Sequence, residues 1–388
     1  MDRIETARGV LEASVASGYA TGMVGLMGQG EACEVFPVGD QAIGGPPVRR
    51  DTLYRIASMT KPITAVAAMM LVDEGKLSLH EPIDRLMPEL ADRRVLRDIR
   101  AQIDDTVPAT RPITLEDVLT FRLGLGIVFG SPEDYPILGA IAELKLAGFD
   151  MPDPTLPYDF DEWARRLSTL PLMAQPGEEW LYTAGSNVLG VLVARASGQS
   201  LPDFFQERIL GPLGMKDTAF FVPPEKIGRF STGYVRGEQG ELTLYDPPDG
   251  AYVAPPSFPA GDSGLVSTVD DFFAFARFLA RKGKLNGRQL LSQAAVTAMT
   301  TNHLTPAQQA GGALILGPDR GWGYGVGVAT GVRPGGAGVG AYGWDGGFGS
   351  TWTYDPATDR TEILLTQTYF DSPDPPAVHT AFQRAIFT

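Results

Sequence analysis

Two hydrophobic periodicities alternate along the chain, and their order sketches an architecture. Residues 1–17 carry apolar positions at helical spacing between Asp2, Arg3, Glu5 and Arg8, the pattern of an amphipathic helix. Residues 22–28 and 32–38 are short apolar runs joined by a Gly-Gln-Gly-Glu turn, which predicts an antiparallel hairpin. Helical spacing returns over residues 60–74 and stops at Gly75, a residue suited to a left-handed cap. Further helices are predicted at 114–120, 161–169, 186–196 and 201–209.

From about residue 218 the pattern changes to Gly- and Pro-rich loops. One strong helix is predicted at 269–281, strands at 322–329, 351–354 and 363–368, and a last helix at 376–386. Strands near both ends with helices between them predict one sheet built from the two termini. The fold class is α+β: residues 1–75 and 215–388 form an α/β lobe with an antiparallel sheet, residues 76–214 an inserted all-α lobe, and the active site lies at the seam. The Pro-rich stretch 245–259 is long for a connection, which predicts a rim loop or a mobile cover over a site.

Composition narrows the function classes. The 388 residues are 44% hydrophobic, enough for a large core. Lys plus Arg number 32 against 46 Asp plus Glu, so a net charge of −14 repels nucleic acid and anionic membranes. Cys33 is the single cysteine, which excludes an internal disulfide and a tetrathiolate zinc site and is read as a small buried hydrophobe. Residues 1–17 lack a secretory-type apolar core, and the apolar run 62–72 is too short to span a bilayer. A cytoplasmic monomer or homodimer is the expectation.

The chemistry centres on Ser58-Met59-Thr60-Lys61-Pro62 at the entrance to the 60–74 helix. Helical i and i+3 side chains share a face, so the Lys61 amine can reach the Ser58 hydroxyl and, once desolvated, take its proton. The helix N-terminus offers N–H groups to a developing oxyanion. Alone, Ser-x-x-Lys is weak, since about one match is expected by chance in such a chain and a capping Ser58 with a solvated Lys61 is the plainer reading. Two further elements accompany it. Tyr182, in Pro176-Gly177-Glu178-Glu179-Trp180-Leu181-Tyr182-Thr183-Ala184, is a phenol able to share proton transfer, against the plainer reading of a core tyrosine. Gly343-Trp344-Asp345-Gly346-Gly347-Phe348-Gly349-Ser350 is a glycine-rich turn ahead of a strand, where a backbone N–H can approach a substrate.

In these three motifs, and in Leu53-Tyr54-Arg55-Ile56-Ala57, Ile209-Leu210-Gly211-Pro212-Leu213-Gly214-Met215-Lys216-Asp217-Thr218 and Gly264-Leu265-Val266-Ser267-Thr268-Val269-Asp270-Asp271, the chain resembles the serine β-lactamase and penicillin-binding family. It is most similar there to the β-lactamase-like carboxylesterases. The resemblance implies a class C β-lactamase or DD-peptidase-like fold and an acyl-enzyme on Ser58. It implies Lys61 and Tyr182 as the proton-transfer pair and the N–H groups of Ser58 and Gly347 as the oxyanion hole. Trp344, Asp345, Gly346 and Phe129 become the substrate-binding set, with no metal and no cofactor.

Two departures bear on substrate. Ala184 stands where lactam- and peptide-cutting relatives carry an asparagine, and Trp344 stands where they carry Lys or His. An indole offers apolar area without positive charge, and Asp345 would repel a carboxylate if it faced the pocket. A neutral short-chain ester is therefore the expected partner, ahead of a β-lactam, a D-alanyl peptide, acyl transfer, or silent ligand capture. A Ser-His-Asp site is disfavoured because His80, His303 and His379 are the only histidines and no Gly-x-Ser-x-Gly occurs. Asp104-Asp105 and Asp270-Asp271 read as solvated faces or helix starts.

Overall fold

The computed structural model describes residues 2–333, 335–372 and 375–388. Its principal helices are α1 (Arg3–Ala16), α2 (Thr60–Asp73), α3 (Leu115–Leu119), α4 (Pro136–Leu144), α5 (Phe160–Ser168), α6 (Ala184–Ser197), α7 (Leu201–Phe205), α8 (Val269–Ala280) and α9 (Ala377–Phe387). The main sheet is made of β1 (Gly22–Gln29), β2 (Ala32–Gly39), β3 (Arg320–Trp322), β4 (Gly327–Ala329), β5 (Tyr342–Gly346), β6 (Ser350–Asp355) and β7 (Arg360–Thr366).

These seven strands are antiparallel in the order β3-β4-β5-β6-β7-β1-β2. The amino-terminal hairpin joins the carboxyl-terminal meander by pairing Met23 with Thr366, as the distribution of strands along the chain predicts. Strand alternation sends Met23, Phe36 and Leu364 to one face, where Leu11 of α1 and Phe382 of α9 cover them. Gly25 lies under that pair, since a Cβ there would meet Phe382 at 2.6 Å and Leu11 at 2.7 Å. On the other face Phe272 and Phe275 of α8 meet the Trp352 ring at 5.5 and 6.0 Å.

Helix α2 is buried from Thr60 through Leu71, so every side of it needs a packing partner. Ala65, Ala67 and Ala68 keep it slim enough to lie against α6, which is buried from Ala184 through Val193. Gly185 lets α6 approach the Val118 carbonyl, which a Cβ would meet at 2.6 Å. Thr114 caps α3 through a reciprocal capping box with Asp117. None of the described helices is long and apolar enough to cross a membrane.

Three expectations change. Residues 322–329 are a hairpin rather than one strand, because residues 323–326 turn between β3 and β4 with Gly325 at φ +76. The third motif is itself a strand, β5, and only residues 347–349 turn. The stretch 245–259 is not a mobile cover: Tyr252 and Phe258 are buried, and the Asp246 carboxylate receives the Arg55 Nε at 3.0 Å. The Arg55 guanidinium also stacks over Phe230 and Tyr252, 3.9 and 5.1 Å from their centroids.

Asp246→Ala leaves the Arg55 cation buried without its anion, and chemical denaturation should show a loss of about 3–5 kcal/mol. A loss below about 1 kcal/mol would mean that Tyr252 and Phe258 alone hold this stretch.

Candidate active site

The chain reaches Ser58 through a bend set by its own packing. Arg55 is buried and donates to the Ser231 carbonyl at 2.6 Å as well as to Asp246. Ala57 sits at φ +42, a left-handed conformation that a non-glycine residue adopts at a cost of about 1–2 kcal/mol. The turn Ala57–Met59 then feeds α2, with Ser58 half-buried at its start. One turn on, the Lys61 amine lies 2.9 Å from Ser58 Oγ and donates to the Asp262 carbonyl at 3.0 Å. Only 1% of Lys61 is exposed. Burial pushes the amine from 10.5 down to about 8, against the opposing pull of the Asp262 charge.

Tyr182 is held in an aromatic box. Its ring meets Phe121 at 5.7 Å, Trp180 at 5.7 Å, Trp322 at 6.3 Å and Trp344 at 5.5 Å. Backbone bonds from Leu181 N–H to the Phe121 carbonyl and from Ile127 N–H to the Tyr182 carbonyl, both 2.8 Å, fix the segment. Ser58 and Tyr182 line the same cavity, and Lys61 Nζ lies 4.6 Å from the phenol ring centroid. Trp344 Nε1–H donates to the phenol oxygen at 2.6 Å. Burial raises the phenol well above its ordinary value, and the nearby Ser58 hydroxyl and the Trp344 N–H only partly oppose this. Proton affinities are thus pushed in opposite directions: the amine is made easier to deprotonate and the phenol harder.

The edge of β5 closes the site. A Cβ on Gly346 would lie 2.3 Å from the Ile56 carbonyl, so glycine is what lets this strand reach the Ser58 turn. Gly347 follows at the start of the turn, its carbonyl accepting from Phe370 N–H at 2.7 Å. Among the described residues, neither the Ser58 nor the Gly347 N–H makes a backbone hydrogen bond, and both residues line one cavity of about 460 Å³.

That cavity contains Ser58, Tyr182, Trp344, Asp345, Gly347 and Phe129, and adds Ile127, Ile315, Tyr369, Phe370 and Asp371 to them. No lysine or arginine is among its described lining residues. Phe129 stands 52% exposed at the rim. Gly346 packs against Ile56 and is not among the residues that line this cavity. The Asp345 carboxylate does not threaten a ligand either. Strand alternation turns it away from Trp344 toward Arg320, at 2.7 Å, and the Thr351 hydroxyl, at 2.6 Å. Burial opposes its charge, but Arg320, His379 and Thr351 hold it below the usual carboxylate value. Ala184 is fully buried at the start of α6.

The histidines stand apart. His80 is exposed beside Glu116, His303 stacks on Tyr324 at 4.3 Å, and His379 is buried with its Nε2 2.7 Å from the Gly349 carbonyl. The residue that sequence reasoning missed is Asp262, which touches Lys61 through its carbonyl and Thr183 through its carboxylate. Its position in a Gly-Asp-Ser-Gly turn carries no local signal of that role.

An antiparallel sheet covered by helices on both faces, with a Ser-x-x-Lys turn opening a buried helix beside a tyrosine and a strand edge, is the penicillin-binding-protein and β-lactamase fold. The family model for Beta-lactamase matches residues 15–383, and the chain belongs to that family. Protein Rv1367c of Mycobacterium tuberculosis is 40% identical over 364 residues, spanning 90% of this chain and 86% of its own. Esterase EstB of Burkholderia gladioli is 33% identical over 351 residues, spanning 84% and 80%. Among solved structures, EstCE1, a hydrolase with promiscuous acyltransferase activity, matches 100% of this chain and 98% of its own, with a TM-score of 0.83. At 22% identity that likeness establishes the fold.

Gly346→Ala forces β5 away from Ile56 and moves Gly347 relative to Ser58. Labelling of Ser58 by a fluorophosphonate should slow by about 100-fold, while Gly9→Ala, where a Cβ meets nothing within 4 Å, should label at the parental rate. Equal rates for all three proteins would show that the close approach of β5 is irrelevant to Ser58.

Proposed function

We propose that the chain is a serine hydrolase working through an acyl-enzyme, a carboxylesterase acting on neutral esters. The observation that carries this reading is the contact of Ser58 with the buried Lys61 amine at the foot of an apolar cavity whose described wall has no cation. Uncharged Lys61 takes the Ser58 proton as Oγ attacks the ester carbonyl. The Ser58 and Gly347 N–H groups receive the oxyanion. Because the Trp344 N–H occupies one lone pair of the phenol oxygen, the Tyr182 proton is free to go to the departing alkoxide, and Lys61 then passes the proton it took to the Tyr182 phenolate, restoring both groups. Water then attacks the acyl-enzyme with the same groups in reverse. Tyr182 is on this account the proton donor and Lys61 the resting base, a division that their opposed displacements support.

Ile127, Phe129, Ile315 and Phe370 offer apolar surface to acyl and alcohol groups, and short p-nitrophenyl esters fit well within about 460 Å³. Acyl transfer is a second reading, favoured by the promiscuous acyltransferase activity of EstCE1, and a transester product formed with an added alcohol would reveal it.

The kcat/KM for p-nitrophenyl butyrate should rise about tenfold per pH unit below about pH 8 and level off above it, because Lys61 is a base only when unprotonated. Ser58→Ala and Lys61→Ala should abolish turnover while Ser58→Ala keeps the parental thermal midpoint. Full activity in Ser58→Ala would end the proposal. Nitrocefin should be a poor substrate of the parent. Trp344→Lys should lower the KM for lactams by roughly 10- to 150-fold, one charge-assisted contact of about 1.5–3 kcal/mol, and damage ester turnover. Parental benzylpenicillin hydrolysis as efficient as that of the best ester would contradict the neutral-ester assignment.

A further inference from the structure

Asp262 is 4% exposed, and among the described residues its carboxylate is answered by hydroxyls alone. Thr183 Oγ1–H donates to Oδ2 at 3.1 Å and Ser263 Oγ–H to Oδ1 at 2.9 Å. The other buried carboxylates near the site are treated differently: Asp246 has Arg55 and Asp345 has Arg320. A buried carboxylate without a cation of its own is costly.

The contacts of Asp262 join the parts of the site. Its carbonyl accepts from the Lys61 amine at 3.0 Å, and its N–H donates to Asn187 Oδ1 of α6 at 3.2 Å. Thr183, which it binds, is the neighbour of Tyr182 and sits at φ +99, a conformation that a β-branched residue holds only under constraint. One residue therefore touches both the Ser-x-x-Lys helix and the tyrosine segment.

We propose that Asp262 is a positioning residue for the reaction: its backbone and carboxylate hold the Lys61 amine and the Tyr182 segment in register, and its charge supplies the field in which that amine works. The inference rests on the acyl-enzyme reading above and deepens it. The groups facing Lys61 are Ser58 on the preceding turn, the Tyr182 ring, and Asp262, and Asp262 alone of these is an anion. Its field draws a proton to the amine against burial, which makes Lys61 a stronger base than the cavity alone would allow.

The test is the pH dependence of fluorophosphonate labelling of Ser58, followed beside kcat/KM for p-nitrophenyl butyrate. Asp262→Asn keeps the shape and removes the charge, so the acid limb of both profiles should move to lower pH by about one unit, with a lower plateau. Thr183→Val keeps the charge but removes one hydroxyl that screens it, so the limb should move to higher pH. A folded Asp262→Asn protein with its limb unmoved, or a Thr183→Val limb that stays or moves down, would overturn the proposal even if activity fell. If Asp262→Asn does not fold, the Thr183→Val limb decides alone. Failure of the esterase reading looks different: the parent labels at Ser58 yet turns over no ester, and the labelling profiles still decide the role of Asp262.

Discussion

Everything at the centre of this molecule follows from burying one amine. A lysine in the first turn of a helix with no exposed face loses its hydration, and a displacement from 10.5 to about 8 corresponds to a penalty of about 3 kcal/mol on the charged form. The fold meets that penalty with Ser58 Oγ and the Asp262 carbonyl rather than with a salt bridge. A carboxylate in direct contact would hold the proton and disable the base. The alanines of α2, the glycine of β5 at Ile56 and the aromatic box around Tyr182 are the packing that keeps water away from the amine while leaving Ser58 on the cavity.

The same burial assigns opposite tasks to the two proton-carrying groups. Desolvation disfavours whichever form is charged, so it lowers an amine and raises a phenol. Trp344 opposes the split only in part: its N–H steadies the phenolate, but it fills a lone pair of the phenol oxygen and leaves the O–H to point elsewhere. A tryptophan in place of a cation thus does two things at once: it removes a charge that would attract carboxylates, and it still donates a hydrogen bond to Tyr182.

Much of the fold was legible because local signals agreed with the tertiary result. The 22–38 hairpin has two short apolar runs around a glycine turn, α2 is followed by Gly75 at φ +69, and Thr114 caps α3 through Asp117. What the sequence hid is structure held by long-range contacts. The β3–β4 hairpin and β5 are rich in glycine, whose lack of a side chain erases periodicity, and only pairing with β4 and β6 makes residues 342–346 a strand. Residues 245–259 look like a free loop until Arg55, far away in sequence, is seen to bind Asp246. Helix α4 begins at Pro136 and was not foreseen, since a proline reads as a breaker unless the helix starts there. The site shows the same division. The i, i+3 geometry of Ser58 and Lys61 is local, and Tyr182 and Gly347 followed from a family resemblance. Asp262 and the direction of the Asp345 side chain depend on which elements meet.

The central claim is that Ser58 carries the acyl group. It is tested most directly by quenching the protein in acid during turnover of p-nitrophenyl butyrate and mapping the modified peptide by mass spectrometry. The account predicts one butyryl adduct, on the peptide containing Ser58 and absent from Ser58→Ala. Steady turnover with no adduct, or an adduct on another residue that persists in Ser58→Ala, would contradict it.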